Sequence, residues 1–223
     1  MEITNKPAHD PVTDLHMTDA YMRWALLAAE EVAGKQGVAV VLRQSGLGRF
    51  IDHYPPNELK ISGNVTFDDY ANLSTGLLNF FGRAGKSMTL RIGRVSAKLG
   101  IEQQSGLFGI AAIVAIAKVF PFGTVLMKGL EVQQNGLRKL SQAVGETVRL
   151  RLEDRGDKVA YIYEDCPFCA GKHAPERICW IFNGILQEST RLVSGKEAEV
   201  EEVECRAMGA PACVWEISKT PKN

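Results

Sequence analysis

The stretch EAEVEEVECRAMGAPACVWEIS, residues 197–218, decides the fold of this chain. Two runs of strand length, 197–206 and 212–218, flank Met208, Gly209, Ala210 and Pro211, so the segment is read as a β-hairpin. Cys205 and Cys213 are equidistant from Gly209. A hairpin turning there sets the two thiols across from one another, within reach of a single ion. Upstream, residues 178–193 have helical length with apolar residues nearly all round, and Ser194, Gly195 and Lys196 break the run. Further upstream, Val148, Leu150 and Leu152 alternate with Thr147, Arg149, Arg151 and Glu153. The turn-rich RGDK at 155–158 and a second run at 159–163 complete another hairpin.

The first half reads as helical. Thr18 or Asp19 can cap a helix in which Met22, Ala25, Leu26, Ala29 and Val32 share one face and which Gly34 ends. A shorter helix is expected over 38–47. A third carries Phe67, Tyr70, Leu73, Leu77, Leu78 and Phe81 at steps of three and four. Two more, over 103–119 and 123–144, are split by Pro121, whose ring and missing donor disfavour continuation. Residues 1–17 hold two prolines and no apolar period, which predicts a flexible leader before a single domain over 18–220. The predicted class is α+β, a helical N-terminal half packed on an antiparallel sheet from two C-terminal hairpins.

Composition narrows the function classes. Of 223 residues, 45% are hydrophobic and 23% charged, which supports a core and excludes a disordered tail or a coiled coil. Twenty-six basic residues balance twenty-six acidic ones, so no global field draws nucleic acid or an anionic membrane. The longest apolar run, 106–117, falls short of the roughly 20 residues a membrane span needs. Its expected place is a buried helix. The polar, acidic N-terminus does not resemble a secretory signal, and a cytoplasmic location is expected.

Chemistry is concentrated in five cysteines at 166, 169, 179, 205 and 213. An odd count without an export signal points to metal binding or redox work rather than a disulfide framework, the bland reading being buried free thiols. Cys179, near a helix start, is a plausible third ligand beside Cys205 and Cys213. Glu202 could supply an oxygen, but strict strand alternation points it away from Cys205, so a bulge or strand end is required. Cys166 and Cys169, in Asp-Cys-Pro-Phe-Cys, have the spacing of a metal knuckle or a dithiol pair, and are candidates for a second metal site or a redox pair, free thiols being the alternative. The loop residues Gly171, Lys172, His173 and Pro175 follow where a redox motif would open a helix.

Other motifs are weaker. The segment 45–49 lacks a preceding strand and a complete phosphate-binding pattern, and reads as a helix end. Arg83, Lys86, Arg91, Arg94 and Lys98 read as a solvated helix face. The histidines at 9, 16, 53 and 173 show no paired spacing. Nothing resembles a nucleophile elbow or paired catalytic carboxylates, so the residues give no positive sign of an enzyme.

Cys179, Trp180, Gly184, Leu186, Gln187, Val203, Glu204, Cys205, Ala207, Gly209 and Cys213 resemble the C-terminal signature of the 4-vinyl reductase domain family, most closely over residues 160–218. That family takes its name from an accessory protein of bacteriochlorophyll synthesis and includes the phenol-sensing domains of sigma-54-dependent activators. The resemblance implies structural Zn2+ on Cys179, Glu202, Cys205 and Cys213, and an α+β homodimer similar to the TRAPP trafficking subunits. It also implies a pocket for a hydrocarbon or small aromatic molecule. The residues offered for that pocket are Phe108, Phe120, Phe122, Trp180 and Phe182. The function expected first is a zinc-stabilised ligand sensor acting through a protein partner. An accessory factor or reductase in tetrapyrrole synthesis and a structural adaptor are the rivals, and a reductase would need a reductant for which no complete dinucleotide fingerprint is visible.

Overall fold

The computed structural model describes residues 2–104, 117 and 119–222. The N-terminal half supplies α1 (Asp19–Gln44), α2 (Phe67–Phe81), α3 (Gly85–Gln104) and α4 (Phe122–Gln142). The C-terminal half supplies β2 (Leu150–Asp154), β3 (Lys158–Tyr163), α5 (Trp180–Ser194), β5 (Ala198–Glu204) and β6 (Cys213–Pro221). Two-residue strands β1 (Thr4–Asn5) and β4 (Lys172–His173) pair with each other. The mixed α+β architecture agrees with the sequence reading. Within α1 the backbone leaves helical geometry at Gly34, whose φ of +73° suits a residue without Cβ, so the expected stop there is a break between two helical stretches. Of the helix expected over 103–119, residues 105–116 and 118 lie outside the described residues, and Phe108 with them.

Both predicted hairpins form. They join edge to edge through β3 and β6 into one antiparallel sheet of order β2-β3-β6-β5, with Tyr161 opposite Trp215. Alternation then sorts the side chains. Val159, Tyr161, Tyr163, Cys213, Trp215 and Ile217 face the helices and the main core, while Ala160, Ile162, Ala212 and Val214 form a small cluster on the other face. Phe182 of α5 lies 4.7 Å from the Trp215 ring and 5.3 Å from Tyr161, edge to face. Each such aromatic pair adds about 0.5–1.5 kcal/mol beyond its buried area.

α3 and α5 approach backbone to backbone because glycines face each other. A Cβ at Gly93 would overlap the Ile181 carbonyl, and one at Gly184 the Leu90 carbonyl. Arg94 then ties the pair with a 3.0 Å hydrogen bond to Glu188. The expected solvated face of α3 is therefore only partly so: Arg94 is half-buried against α5, and Lys86 sits 4.1 Å from the Trp180 ring centre.

The expected flexible leader is instead packed on the domain. Val12 and Met17 are buried, the Lys6 amide donates to the Gly171 carbonyl, and β1 pairs with β4. Buried Asp10 holds this strap down. It accepts from Lys6 Nζ at 2.9 Å, Arg206 Nη2 at 3.0 Å and the Gly171 amide at 3.2 Å. These contacts are with residues more than 150 positions away in two of the three cases, which is why a local reading of polar, proline-bearing sequence missed them. Burial alone would raise the Asp10 carboxyl; the hydrogen bonds and charges of Lys6 and Arg206 outweigh it and hold it at about 2.

Two outcomes follow from this packing. Gly184→Ala should force α3 and α5 apart at an overpacking cost of about 1–3 kcal/mol, read as a fall of about 2–12 °C in thermal midpoint. Asp10→Asn should destabilise the chain at neutral pH. Because the native pKa is depressed from 3.8 to about 2, the stabilisation from Asp10 is present above 3.8 and is lost as pH falls through about 2. The gap between wild type and variant in acid denaturation should therefore close over that window.

Candidate metal centre and adjoining cavity

Four chain segments deliver the site. Cys166 and Cys169 lie in the turn after β3, Cys179 is the residue before α5, Cys205 ends the β5 side of the last hairpin, and Cys213 opens β6. Gly209, at φ +96°, closes the turn between the last two, and the Arg206 amide donates to Cys213 Sγ at 3.3 Å. All five cysteines are buried free thiols. Glu202 reaches the same place by regular alternation: it stands opposite Trp215 as Val200 stands opposite Ile217, and is 1% exposed. The β5–β6 register then shifts between Glu202 and Glu204, and this bulge brings Cys205 onto the same inward face, the irregularity that the three-residue spacing demanded.

The donor atoms form two overlapping groups. Cys166, Cys169, Cys179 and Cys213 make one, Cys179, Glu202, Cys205 and Cys213 the other, and within each all ligand atoms lie within 4.8 Å of one another. Sulfur separations are 3.8 Å for Cys166–Cys179, 3.4 Å for Cys169–Cys213, 3.8 Å for Cys179–Cys213 and 3.9 Å for Cys179–Cys205. Tetrahedral zinc with Zn–S bonds of about 2.3 Å places its sulfurs about 3.8 Å apart. The thiols thus stand at ligand spacing. Glu202 adds a second sign: one carboxylate oxygen accepts the Cys179 amide at 3.3 Å, while the other is buried with no partner.

Electrostatics favour a cation. Burial pushes Glu202 up to about 10 and Cys166 up to about 12, and raises Cys179 and Cys213 well above the ordinary thiol value. Hydrogen bonds from Cys166 and the other surrounding thiols hold Cys169 well below it. The helix-start effect expected to favour thiolate at Cys179 is therefore overridden by burial, because desolvation of a fully enclosed sulfur outweighs a terminal dipole. A bound positive ion would replace the lost solvation, and its binding would release protons from these groups.

Beside the cluster is a cavity of about 150 Å³. Met17, Tyr21, Trp24, Tyr70, Ala97, Leu126, Leu130, Phe168, Phe182 and Ile185 give it a mainly apolar wall, with Ser96, Gln133 and Ser189 as polar points. Of the aromatic residues offered from sequence, Phe182 lines this cavity. Phe120 is exposed, Phe122 packs against the main core, and Trp180 lies under Lys86, none of them in the described wall. Sequence reasoning missed Tyr21 and Trp24 of α1, Tyr70, which it read as a helical core position, and Pro167 and Phe168. The latter two occupy the interval between Cys166 and Cys169 and face the cavity. Phe168 packs 4.9 Å from Phe182 and 5.1 Å from Tyr70, so the metal turn and the cavity wall share residues.

The family model of the 4-vinyl reductase domain matches residues 159–219, the segment holding β3, the cysteine cluster, α5 and the last hairpin. No curated protein matches the chain in sequence. Among solved structures, an H-NOX protein from S. oneidensis in the Fe(II)NO ligation state is similar at a TM-score of 0.56 and 12% identity, covering 93% of this chain and 100% of that one. An oxygen-binding H-NOX domain related to soluble guanylate cyclases reaches 0.55 and 14%, over 92% and 96%. A structure described as probing haem distortion in the H-NOX family reaches 0.57 and 15%, over 93% and 97%. At these identities the likeness is one of fold.

Proposed function

We propose that this protein binds and senses a small apolar or aromatic molecule, and that Cys179, Glu202, Cys205 and Cys213 hold a structural zinc beside the binding cavity. One observation carries the reading: Pro167 and Phe168 line the cavity while Cys166 and Cys169, on either side of them, belong to the cysteine cluster. Occupation of the cavity then bears directly on the turn at the metal centre. The 4-vinyl reductase domain match over residues 159–219 supports the ligand class. The size of the cavity supports it too, since an engineered cavity of about 150 Å³ in another protein takes up benzene.

Four protein ligands leave zinc no open position for water or substrate, so the ion holds the α5 start to the last hairpin rather than performing chemistry. A cluster of buried cysteines placed to hold a metal, rather than paired as disulfides, suits a reducing compartment such as the cytoplasm. Assembly as a TRAPP-subunit-like homodimer and signalling through a protein partner belong to the same proposal. The haem named for the H-NOX structures is not carried over. No histidine is among the described lining residues, so an imidazole axial ligand is missing there.

Two measurements test this reading. Toluene and phenol, titrated against the full chain, should raise the thermal midpoint; at 100 times the dissociation constant the gain is about 2.7 kcal/mol, or roughly 5–11 °C. Ala97→Phe, which fills the cavity, should abolish the shift, and an undiminished shift in that variant would sink the assignment of the cavity. Separately, Cys205→Ser should reduce bound zinc and lower the midpoint, because metal-binding energy at such a site is folding energy. Unchanged zinc content would exclude Cys205 as a ligand.

A further inference from the structure

The zinc reading uses four donors and leaves Cys166 and Cys169 without a role. Both are 0% exposed, and each has its sulfur at 3.4–3.8 Å from a thiol of the zinc group. The two donor groups are not separate sites side by side. They share Cys179 and Cys213, whose sulfurs are 3.8 Å apart, so the groups are two four-donor sets with one edge in common.

We infer that the cluster is a binuclear centre for two thiophilic divalent ions of the zinc class, with Cys179 and Cys213 bridging them, Cys166 and Cys169 completing one ion, and Glu202 and Cys205 completing the other. This rests on the reading of Cys179, Glu202, Cys205 and Cys213 as a metal site and adds the second ion to it. A thiolate sulfur has lone pairs for two metals; the Cys179 sulfur lies 3.8 Å from Cys166 and 3.9 Å from Cys205, and that of Cys213 lies 3.4 Å from Cys169 and within 4.8 Å of the Glu202 and Cys205 donors. A single ion cannot satisfy the donors present. In the first group it leaves Glu202 with its buried, unpartnered oxygen. In the second it leaves two fully enclosed thiols in contact with the ligand sulfurs. Buried polar groups are rarely left so. Charge points the same way: fully deprotonated, the five thiols and Glu202 carry six negative charges, of which two divalent ions balance four and one balances two.

The geometry also gives the second ion its consequence. Cys166 and Cys169 bracket Pro167 and Phe168, so the ion they complete would clamp both ends of the turn that forms the cavity wall. The first ion fixes α5 to the hairpin, and the second fixes the wall residue that a ligand touches.

Counting ions tests this without any assay of activity. The full chain, purified with zinc present and without chelator, is weighed by native mass spectrometry and its metal determined by elemental analysis. Two zinc ions per chain are expected in the wild type. The Cys166→Ser, Cys169→Ser double variant and Cys205→Ser should each retain one. Cys213→Ser should retain none; if that variant does not fold, the double variant and Cys205→Ser carry the test between them. One zinc in the wild type, kept unchanged by the double variant, overturns the binuclear centre and leaves the four-ligand zinc reading standing. No zinc at all overturns both. Two ions of which Cys213→Ser keeps one overturn the bridge, and acid-labile sulfide with iron in place of zinc overturns the thiolate-bridged assignment.

Discussion

Five thiols and a carboxylate meet in a dry interior, and the arrangement of the whole C-terminal half follows from keeping them there. Charging buried groups away from solvent is costly, and the raised pKa values of Glu202, Cys166, Cys179 and Cys213 express that penalty, while neighbouring thiols hold Cys169 down. Four segments must arrive together for the groups to meet at all. The turn after β3, the start of α5 and both arms of the last hairpin are local structures of different kinds, and their common meeting place defines the relative orientation of sheet and helix. The bulge in β5 is part of the same constraint, because without it Cys205 would face away from Glu202.

The helices are arranged around that fixed point. Facing glycines let α3 and α5 touch at Gly93 and Gly184, and Ala97 of α3 and Ile185 of α5 line the cavity. Close approach and cavity wall thus come from the same helix pair. Phe182 of α5 also lines the cavity, packed on Trp215 of the sheet and on Phe168 of the cysteine turn. An apolar guest pressing on Phe168 meets a residue with little freedom to yield except by moving the turn.

Much of this was legible in the sequence because it rests on short periods. Alternation gave both hairpins, three- and four-residue spacing gave α2, and the equal distances from Gly209 placed Cys205 and Cys213 together. The need for a bulge or strand end between Glu202 and Cys205 was legible too, since a period of two cannot put residues three apart on one face. The residue pattern around Cys179, Cys205 and Cys213 also carried the family resemblance that the domain match over residues 159–219 supports.

Only the tertiary structure decided the rest, and the reason is separation along the chain. Asp10 meets Arg206 across the full length of the domain, so a segment with every local mark of a loose leader is held down. Tyr21, Trp24 and Tyr70 have the spacing of core residues, and nothing in that spacing distinguishes a packed face from one bordering a cavity. Cys166 and Cys169 read locally as a pair of their own. Their placement against Cys179 and Cys213 depends on how β3, α5 and β6 pack. The sequence determined which residues could bind a metal and which segments were strands and helices; the packing of those segments decided that the donors form one shared cluster, and that its turn is also the wall of a cavity.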